Sequence, residues 1–436
     1  MRMNKLVMIV VMIRFLCPAA SQAQGQEILS LNMEQVINKA IIESEQYQIQ
    51  DNTVKKLEQQ YREAKSAIYP QVNGAVTWLN NYEYPDKAKA QMTDYAFDAG
   101  ITASQIVWSF GKVSSAVRLA DKLLAGSRMN KDTTKQEVIY AAKIRYYSTL
   151  LAKSSLDILQ ESLGNTRRNK ELVIQRSSAG RSSRKDIIKM DADIASRVPQ
   201  VNEAGTSLSS ALRGLKVMIG AAPEAEVIMT DTYAAEYKPL DGTALVKSMR
   251  ENEPTLQALR QNIAVYEELT KIRKAGYYPT IAAFATWDYK GGGSDYYIGD
   301  SNLDGYSVFG LQMNVPLWTS GQTSSILQQA KIDLQNAQLQ LQMVDKAMVL
   351  ELNNAVAEYN EYIDTLAANQ AAVKLAQDSF KMMQDLLASG QVSLTDLNDS
   401  ELLLTSGKLK LQVTLFNLNA TIAKIEKMAG KLIWQN

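Results

Sequence analysis

Few residues in this chain could carry out covalent or acid–base chemistry. Histidine is absent and cysteine occurs once, at Cys17. Histidine-based catalysis, Cys–His pairs and His/Cys-rich zinc sites are thereby excluded, which leaves carboxylates and lysines. The charged residues of most interest fall in two short segments, 176–186 and 385–399, each built around a glycine. Gly180 and Gly390 suit helix C-termini in the left-handed conformation. Ser183 and Ser393 suit the N-caps of the helices that follow, with Asp186 and Asp396 closing capping boxes three residues on. Asp399 has no capping role. It lies one helical turn past Asp396, on nearly the same face. Arg176, Arg181, Arg184 and Lys185 make the first segment basic, while Asp385, Asp396 and Asp399 make the second acidic. A solvated basic turn and a set of ion pairs between the two segments are both open readings. No acid pair stands apart from helix faces or turns, so a carboxylate-dependent hydrolase finds no site. The Gly291-Gly292-Gly293-Ser294 stretch is a flexible loop and not a phosphate cradle, because no Gly-Lys-Ser/Thr follows it.

The elements that must position these two segments are related by duplication, the first property to seek in a long chain. Tyr69-Pro70 matches Tyr278-Pro279, and Trp108-x-x-Gly111 matches Trp318-x-x-Gly321. Gly180 with Asp186 matches Gly390 with Asp396, and Met218 with Gly220 matches Met428 with Gly430. The last three matches share one shift of 210 residues and the Tyr-Pro match has a shift of 209 (318 − 108 and 278 − 69). Each half is expected to run helix, strand pair, very long helix, turn, long helix. Between Gly321 and Ala388 no proline or glycine intervenes, which at 1.5 Å per residue predicts roughly 100 Å of helix. Apolar positions there step by four and three, from Ala330, Leu334, Ala337 and Leu341 through Leu352, Ala355, Tyr359 and Leu366 to Phe380 and Leu387. This is a coiled-coil seam, with one stutter near Met348. Residues 112–175 supply the equivalent helix of the first half.

Two predicted hairpins follow Pro70 and Pro279, prolines that stop the preceding helices and are tolerated where a strand begins. Val72, Gly74, Val76 and Trp78 alternate with polar or small residues, as do Phe97, Ala99 and Ile101, then Ala283, Ala285 and Trp287, then Phe309, Leu311 and Met313. Segments of about ten residues with this period suit a lipid-facing barrel with a wet lumen, and equally a soluble sheet packed on helices. Tryptophan placement favours the barrel. Trp78 and Trp287 lie along the outgoing strands, and Trp108 and Trp318 are expected to end the return strands, as two interfacial girdles would require. The loops 83–93 and 290–302 are polar.

Arg2 and Lys5, the apolar run 6–13 and Ser21-Gln22-Ala23 read as a signal peptide over residues 1–23. Its removal takes Cys17 with it. Lipidation of Cys17 is the alternative, disfavoured by Arg14 three residues before it. The mature chain divides into a first repeat (24–220), a connecting segment (221–240) and a second repeat (241–436). No later segment approaches the roughly 20 apolar residues of a membrane helix, so entry into a membrane requires a closed barrel. The 47 basic and 46 acidic residues give no basic excess and argue against nucleic acid as a partner.

With the duplicated Tyr-Pro, Trp-x-x-Gly and Gly-x5-Asp motifs in this order, the chain resembles the TolC outer-membrane efflux family over roughly residues 28–434. The resemblance implies an α+β membrane protein, a homotrimer in which each protomer gives four strands to one twelve-stranded barrel and its long helices to a hollow coiled-coil tunnel in the periplasm. It implies a passive exit duct without cofactor or metal, served by a periplasmic adaptor and an inner-membrane transporter. Asp396 and Asp399 match the acidic pair that lines the family's periplasmic constriction. Six such carboxylates around one opening favour cations and raise some carboxylate pKa values. Gly180, Ser183, Asp186, Gly390 and Ser393 fall where an adaptor hairpin docks. The family's latch arginine is replaced here by Val392, so a redistributed latch through Arg181 or Arg184 is expected. A periplasmic coiled-coil scaffold without a pore is the competing reading.

Overall fold

The computed structural model describes residues 28–80, 95–180, 182–233, 236–293 and 303–430. The signal segment, the loop 83–93, residues 294–302, Arg181 and the tail after Gly430 lie outside the described residues, whereas Lys290 to Gly293, expected as the start of a loop, extend a strand that pairs with Tyr95 to Asp98. In chain order the elements are β1 (Ile28–Leu31), α1 (Met33–Glu43), α2 (Glu45–Ser66), β2 (Gln71–Asn80), β3 (Tyr95–Trp108), α3 (Lys112–Ser178), α4 (Arg184–Met218), β4 (Glu226–Met229), α5 (Gly242–Asn252), α6 (Pro254–Ala275), β5 (Thr280–Gly293), β6 (Leu303–Asn314), α7 (Gln322–Ser389) and α8 (Leu394–Ala429).

The opening helix of each half is in two pieces, where one was expected. Ser44 breaks the first, its hydroxyl accepting from the Tyr47 N–H at 3.3 Å as a new N-cap. In the second half the Glu253 carboxylate caps Leu256 N–H at 2.8 Å and Pro254 takes the first helical position. Helix α7 runs 68 residues and α3 runs 67. Each begins with two successive left-handed residues, Phe110-Gly111 and Ser320-Gly321. That paired turn is the physical content of the Trp-x-x-Gly motif: it swings a strand sharply into a helix. All buried residues of α7 except Val356 lie on the seam read from the sequence.

Three apolar cores run down the helical part. One packs β1, β4 and α1 on α3 around Val36, Ala142, Tyr146 and Leu215. A second joins α5 and α6 to α7 and α8 around Met249, Leu352, Tyr359 and Ile425. The third lies beside the two helical turns, around Val173, Met190, Phe380 and Leu397. The connecting segment supplies β4, which pairs in parallel with β1. Its Asp231 carboxylate accepts from Met33 N–H at 2.7 Å, and its Asp231 N–H donates to the buried Tyr146 hydroxyl at 3.1 Å.

The remaining strands form one antiparallel sheet in the order β2-β3-β5-β6. Its register sorts the two faces. Val72, Val76, Trp78, Phe97, Ile101, Ala285, Trp287, Phe309, Leu311 and Met313 share one face, and Asn73, Thr77, Asp98, Thr102, Asp288, Lys290, Asp304 and Gln312 share the other. Every residue of β2 is exposed, as is nearly all of β6. Both edges of the sheet are therefore open, and its apolar face is bare. A bulge between Ile106 and Trp108 sets Trp108 opposite Ile281, which turns the indole onto the apolar face that simple alternation would have denied it. Trp318 departs from expectation. Strand β6 ends at Asn314, and Trp318 lies in the irregular segment before α7. Pro316 has no N–H for the ladder, so pairing stops before it. The two outgoing tryptophans also sit at different levels, Trp78 opposite Phe97 and Trp287 opposite Ile101, four rungs apart on β3.

The two halves meet at the base of the sheet. Phe110 of the first Trp-x-x-Gly motif stacks on Tyr278 of the second Tyr-Pro motif, with centroids 5.0 Å apart, and Trp108 meets Phe110 edge-on at 5.9 Å. Motifs separated by the duplication thus form a single aromatic cluster.

Candidate functional site at the helical turns

The two glycine turns lie at one end of the molecule, next to the third core. Gly180 (φ 74°) and Gly390 (φ 84°) are both left-handed, as residues closing an α-helix commonly are. The Asp186 carboxylate accepts from the Ser183 N–H at 2.9 Å and from the Ser182 hydroxyl at 2.8 Å. The Asp396 carboxylate accepts from the Ser393 N–H at 3.0 Å and its hydroxyl at 2.7 Å, and the Asp396 N–H returns a bond to that hydroxyl at 3.2 Å. Capping boxes thus start both α4 and α8. The backbone N–H of Ser183 holds the Asp186 carboxyl below the ordinary carboxylate range, and the Ser393 hydroxyl does the same for Asp396. Within one chain these hydrogen bonds outweigh the opposing effect of burial on Asp396.

Asp396 and Asp399 are both exposed. The Asp399 side chain makes no hydrogen bond or ion pair among the described residues, so its charge is free to act on whatever faces it. Arg184 is exposed and reaches no acid of the second turn among the described residues. Arg181 lies outside them. Val392, where the resemblance would place an arginine, packs half-buried on the third core.

The cation that reaches the second turn is Arg176, one of the four basic residues noted at the first turn, and not Arg184. Arg176, near the end of α3, lays its guanidinium over Gly390: a Cβ at that glycine would lie 3.3 Å from Nη2. Its Nη1 is buried with no partner. Farther along the helices, Lys189 donates to Thr395 at 2.9 Å, Asn398 donates to Asp193 at 2.5 Å, and Arg197 pairs with Glu401. These contacts span about 200 residues of sequence, beyond the reach of any local pattern.

Among the described residues no group of acids or other ligands could hold a metal ion, and no helix is long and apolar enough to cross a membrane. The sheet is the element with a bare apolar face. Trp78, Trp108 and Trp287 are about half exposed on its apolar face, and Trp318 is exposed below it.

Comparison with known proteins bears on this architecture. The profile described as "Outer membrane efflux protein" matches residues 36–221 and 245–425, one stretch in each half. The outer membrane efflux protein BepC of Brucella suis is 21% identical over 72% of this chain, which spans 66% of that relative. The outer membrane protein TolC of Vibrio cholerae is 22% identical over 86% of this chain and 84% of its own length. The solved outer membrane protein VceC of Vibrio cholerae has the same fold, with a TM-score of 0.79 at 16% identity, covering 92% of this chain and 96% of its own. The duplicated helices, the four-stranded sheet with its bare apolar face and the two matched stretches lead to one conclusion: this chain belongs to the outer membrane efflux protein family.

Proposed function

We propose that the chain is one protomer of a homotrimeric exit duct, in which three copies of the sheet close one barrel through the outer membrane and the long helices form a hollow periplasmic extension. Membership of the family makes it an outer-membrane channel for efflux or secretion, without enzymatic activity. The observation that carries the trimer is the sheet itself. It offers two unpaired edges, one bare apolar face and one polar face. Four strands cannot close alone, since transmembrane barrels begin at about eight strands, and open edges are not tolerated in lipid. The apolar face then meets lipid and the polar face lines the lumen. A second observation agrees. Helix α7 exposes Ile332, Leu339, Met343 and Leu350 at heptad-like spacing away from its own seam, a stripe suited to helices of neighbouring copies.

In this reading the helical turns surround the periplasmic entrance. Asp396 and Asp399 from three chains line its constriction, and Gly180, Ser183, Asp186, Gly390 and Ser393 present the surface for a periplasmic adaptor coupled to an inner-membrane transporter. Residues 1–23 are the export signal, 24–220 and 241–436 the two repeats, and 221–240 the link that adds β4 at the waist.

Planar-bilayer recording of the detergent-purified protein, beside an Asp396→Ala/Asp399→Ala variant, tests this. A small cation-selective conductance that loses selectivity in the variant supports both duct and entrance. A conductance indifferent to the variant retains the duct and removes the acids from the entrance. A protein that dissolves without detergent and conducts nothing would instead be a periplasmic scaffold.

A further inference from the structure

We propose that a groove formed by α2, α3 and α6 binds small organic anions with an apolar body. Helix α3 lies in the middle and packs on both of the others. The α3 part of the groove, residues 122–130, starts ten residues into that helix (122 − 112), roughly 15 Å from the sheet. The groove holds about 430 Å³, a size typical of small-molecule sites. Leu57, Leu123, Leu259 and Val265 give it apolar surface. Gly126 keeps its floor low. A glycine in mid-helix weakens the helix, and no close contact demands one here: a Cβ would meet only the Gln261 Cβ, at 3.7 Å.

The charges decide the class of ligand. Along this stretch of α3, Arg118 pairs with Glu268 of α6, while Arg128 and Lys131 pair with Glu58 and Asp51 of α2. Lys122 differs from all three, because it makes no hydrogen bond or ion pair among the described residues. Of the thirteen residues lining the groove, Lys122 is the one cation and none is an acid. The groove therefore joins an uncompensated positive charge to apolar walls. Its polar complement is neutral, with Gln50, Asn130 and Asn262 as amides. Ser127, also in the lining, is 5% exposed and its hydroxyl has no partner. A carboxylate or sulfonate at Lys122, with its ring against Leu123 and Leu259, uses both the charge and the walls. An inorganic anion would leave the walls unused, and an organic cation would face Lys122 with no acid to offset it. All the lining comes from one chain, so the site is built without a neighbouring copy and stands apart from the reading of the helical turns as an entrance.

The test is equilibrium dialysis of naphthalene-1-sulfonate against the detergent-purified full chain, with protein-free detergent subtracted and naphthalene-1-sulfonamide as the uncharged counterpart. The expected result is saturable binding of the sulfonate, tighter than that of the sulfonamide. Lys122→Gln should weaken the sulfonate about tenfold and leave the sulfonamide nearly unchanged. Ala258→Phe, which places a ring in the groove, should abolish both. Lys122→Gln alters an unpaired side chain and keeps the test decisive if Ala258→Phe does not fold. No saturable sulfonate binding, or binding that Lys122→Gln leaves unchanged, overturns the site. An equal loss of sulfonamide binding in Lys122→Gln overturns it too, because the effect would then be structural and not one of charge.

Discussion

Replacing Gly390 with alanine should loosen the second turn more than replacing Gly180 loosens the first. Both glycines are left-handed, a conformation that costs an L-residue about 1–2 kcal/mol. Part of that is offset, because alanine also restricts the unfolded chain, by about 0.4–1 kcal/mol. The net is about 1 kcal/mol at either site. The surroundings then separate them. A Cβ at Gly180 meets nothing within 4 Å, whereas at Gly390 it lies 3.3 Å from Arg176 Nη2. The guanidinium must shift off its preferred geometry, at a cost of about 1 kcal/mol. Converted at 1.4 kcal/mol per factor of ten, local opening should rise about fivefold for Gly180→Ala and about thirtyfold for Gly390→Ala. Peptide-resolved hydrogen exchange reads this directly. The reporters are the Gly180 N–H, bonded to Ser177 C=O at 3.0 Å, and the Gln391 N–H, bonded to Leu386 C=O at 2.9 Å. Adding Arg176→Ala to Gly390→Ala should bring the two turns together. Equal acceleration in the two single variants, or no effect of removing Arg176, would refute the claim that this arginine is seated on the second turn.

Other outcomes follow from the sheet and the helix contacts. Leu311 and Gln312 are neighbours on opposite faces of β6. Leu311→Arg should therefore cost about 2–4 kcal/mol of barrel stability if it lies near the bilayer midplane, and Gln312→Arg little; urea unfolding in lipid vesicles separates the two. Asp51 ties α2 to α3, its carboxyl held at about 2 by Lys131 at 2.5 Å and by Lys55 at 2.7 Å. A depressed carboxylate contributes stability that is complete above its unfolded value of 3.8 and is lost as pH falls toward about 2. Exchange protection of α2 should thus decline over that window, and the decline should vanish in Asp51→Asn. Ser393→Ala removes the hydroxyl of the second capping box and should weaken the start of α8 by about 1 kcal/mol, seen as faster exchange at Asp396 N–H without altered ion selectivity.

Much of this protein could be read before its structure was known, and the reason is periodicity. The 210-residue shift, the four-three stepping of α7 and the two-residue alternation of the strands are local regularities, each tied by backbone geometry to one kind of element. The seam of α7 and the sorting of strand faces accordingly hold in the structure. The capping residues at the turns were legible for the same reason, since a cap is decided within four residues. Helix breaks at Ser44 and Pro254 carried local signals too, but weaker ones.

Tertiary structure decided everything that depends on which distant side chains meet. The bulge that turns Trp108 onto the apolar face depends on the pairing of β3 with β5, and no residue at Val107 announces it. Arg176, not Arg184, reaches the second turn because the end of α3 joins the third core, where Val173 shares a cluster with Leu387, Leu394 and Leu397 on either side of that turn. Glu401 is buried against Arg197 and Ser162, partners 204 and 239 residues away (401 − 197 and 401 − 162). Backbone geometry constrains residues a few positions apart. Across hundreds of residues only the packing of whole helices brings a given cation to a given acid, so the local patterns gave the long helices and the hairpins, while the fold determined their contacts and added the β1–β4 pair.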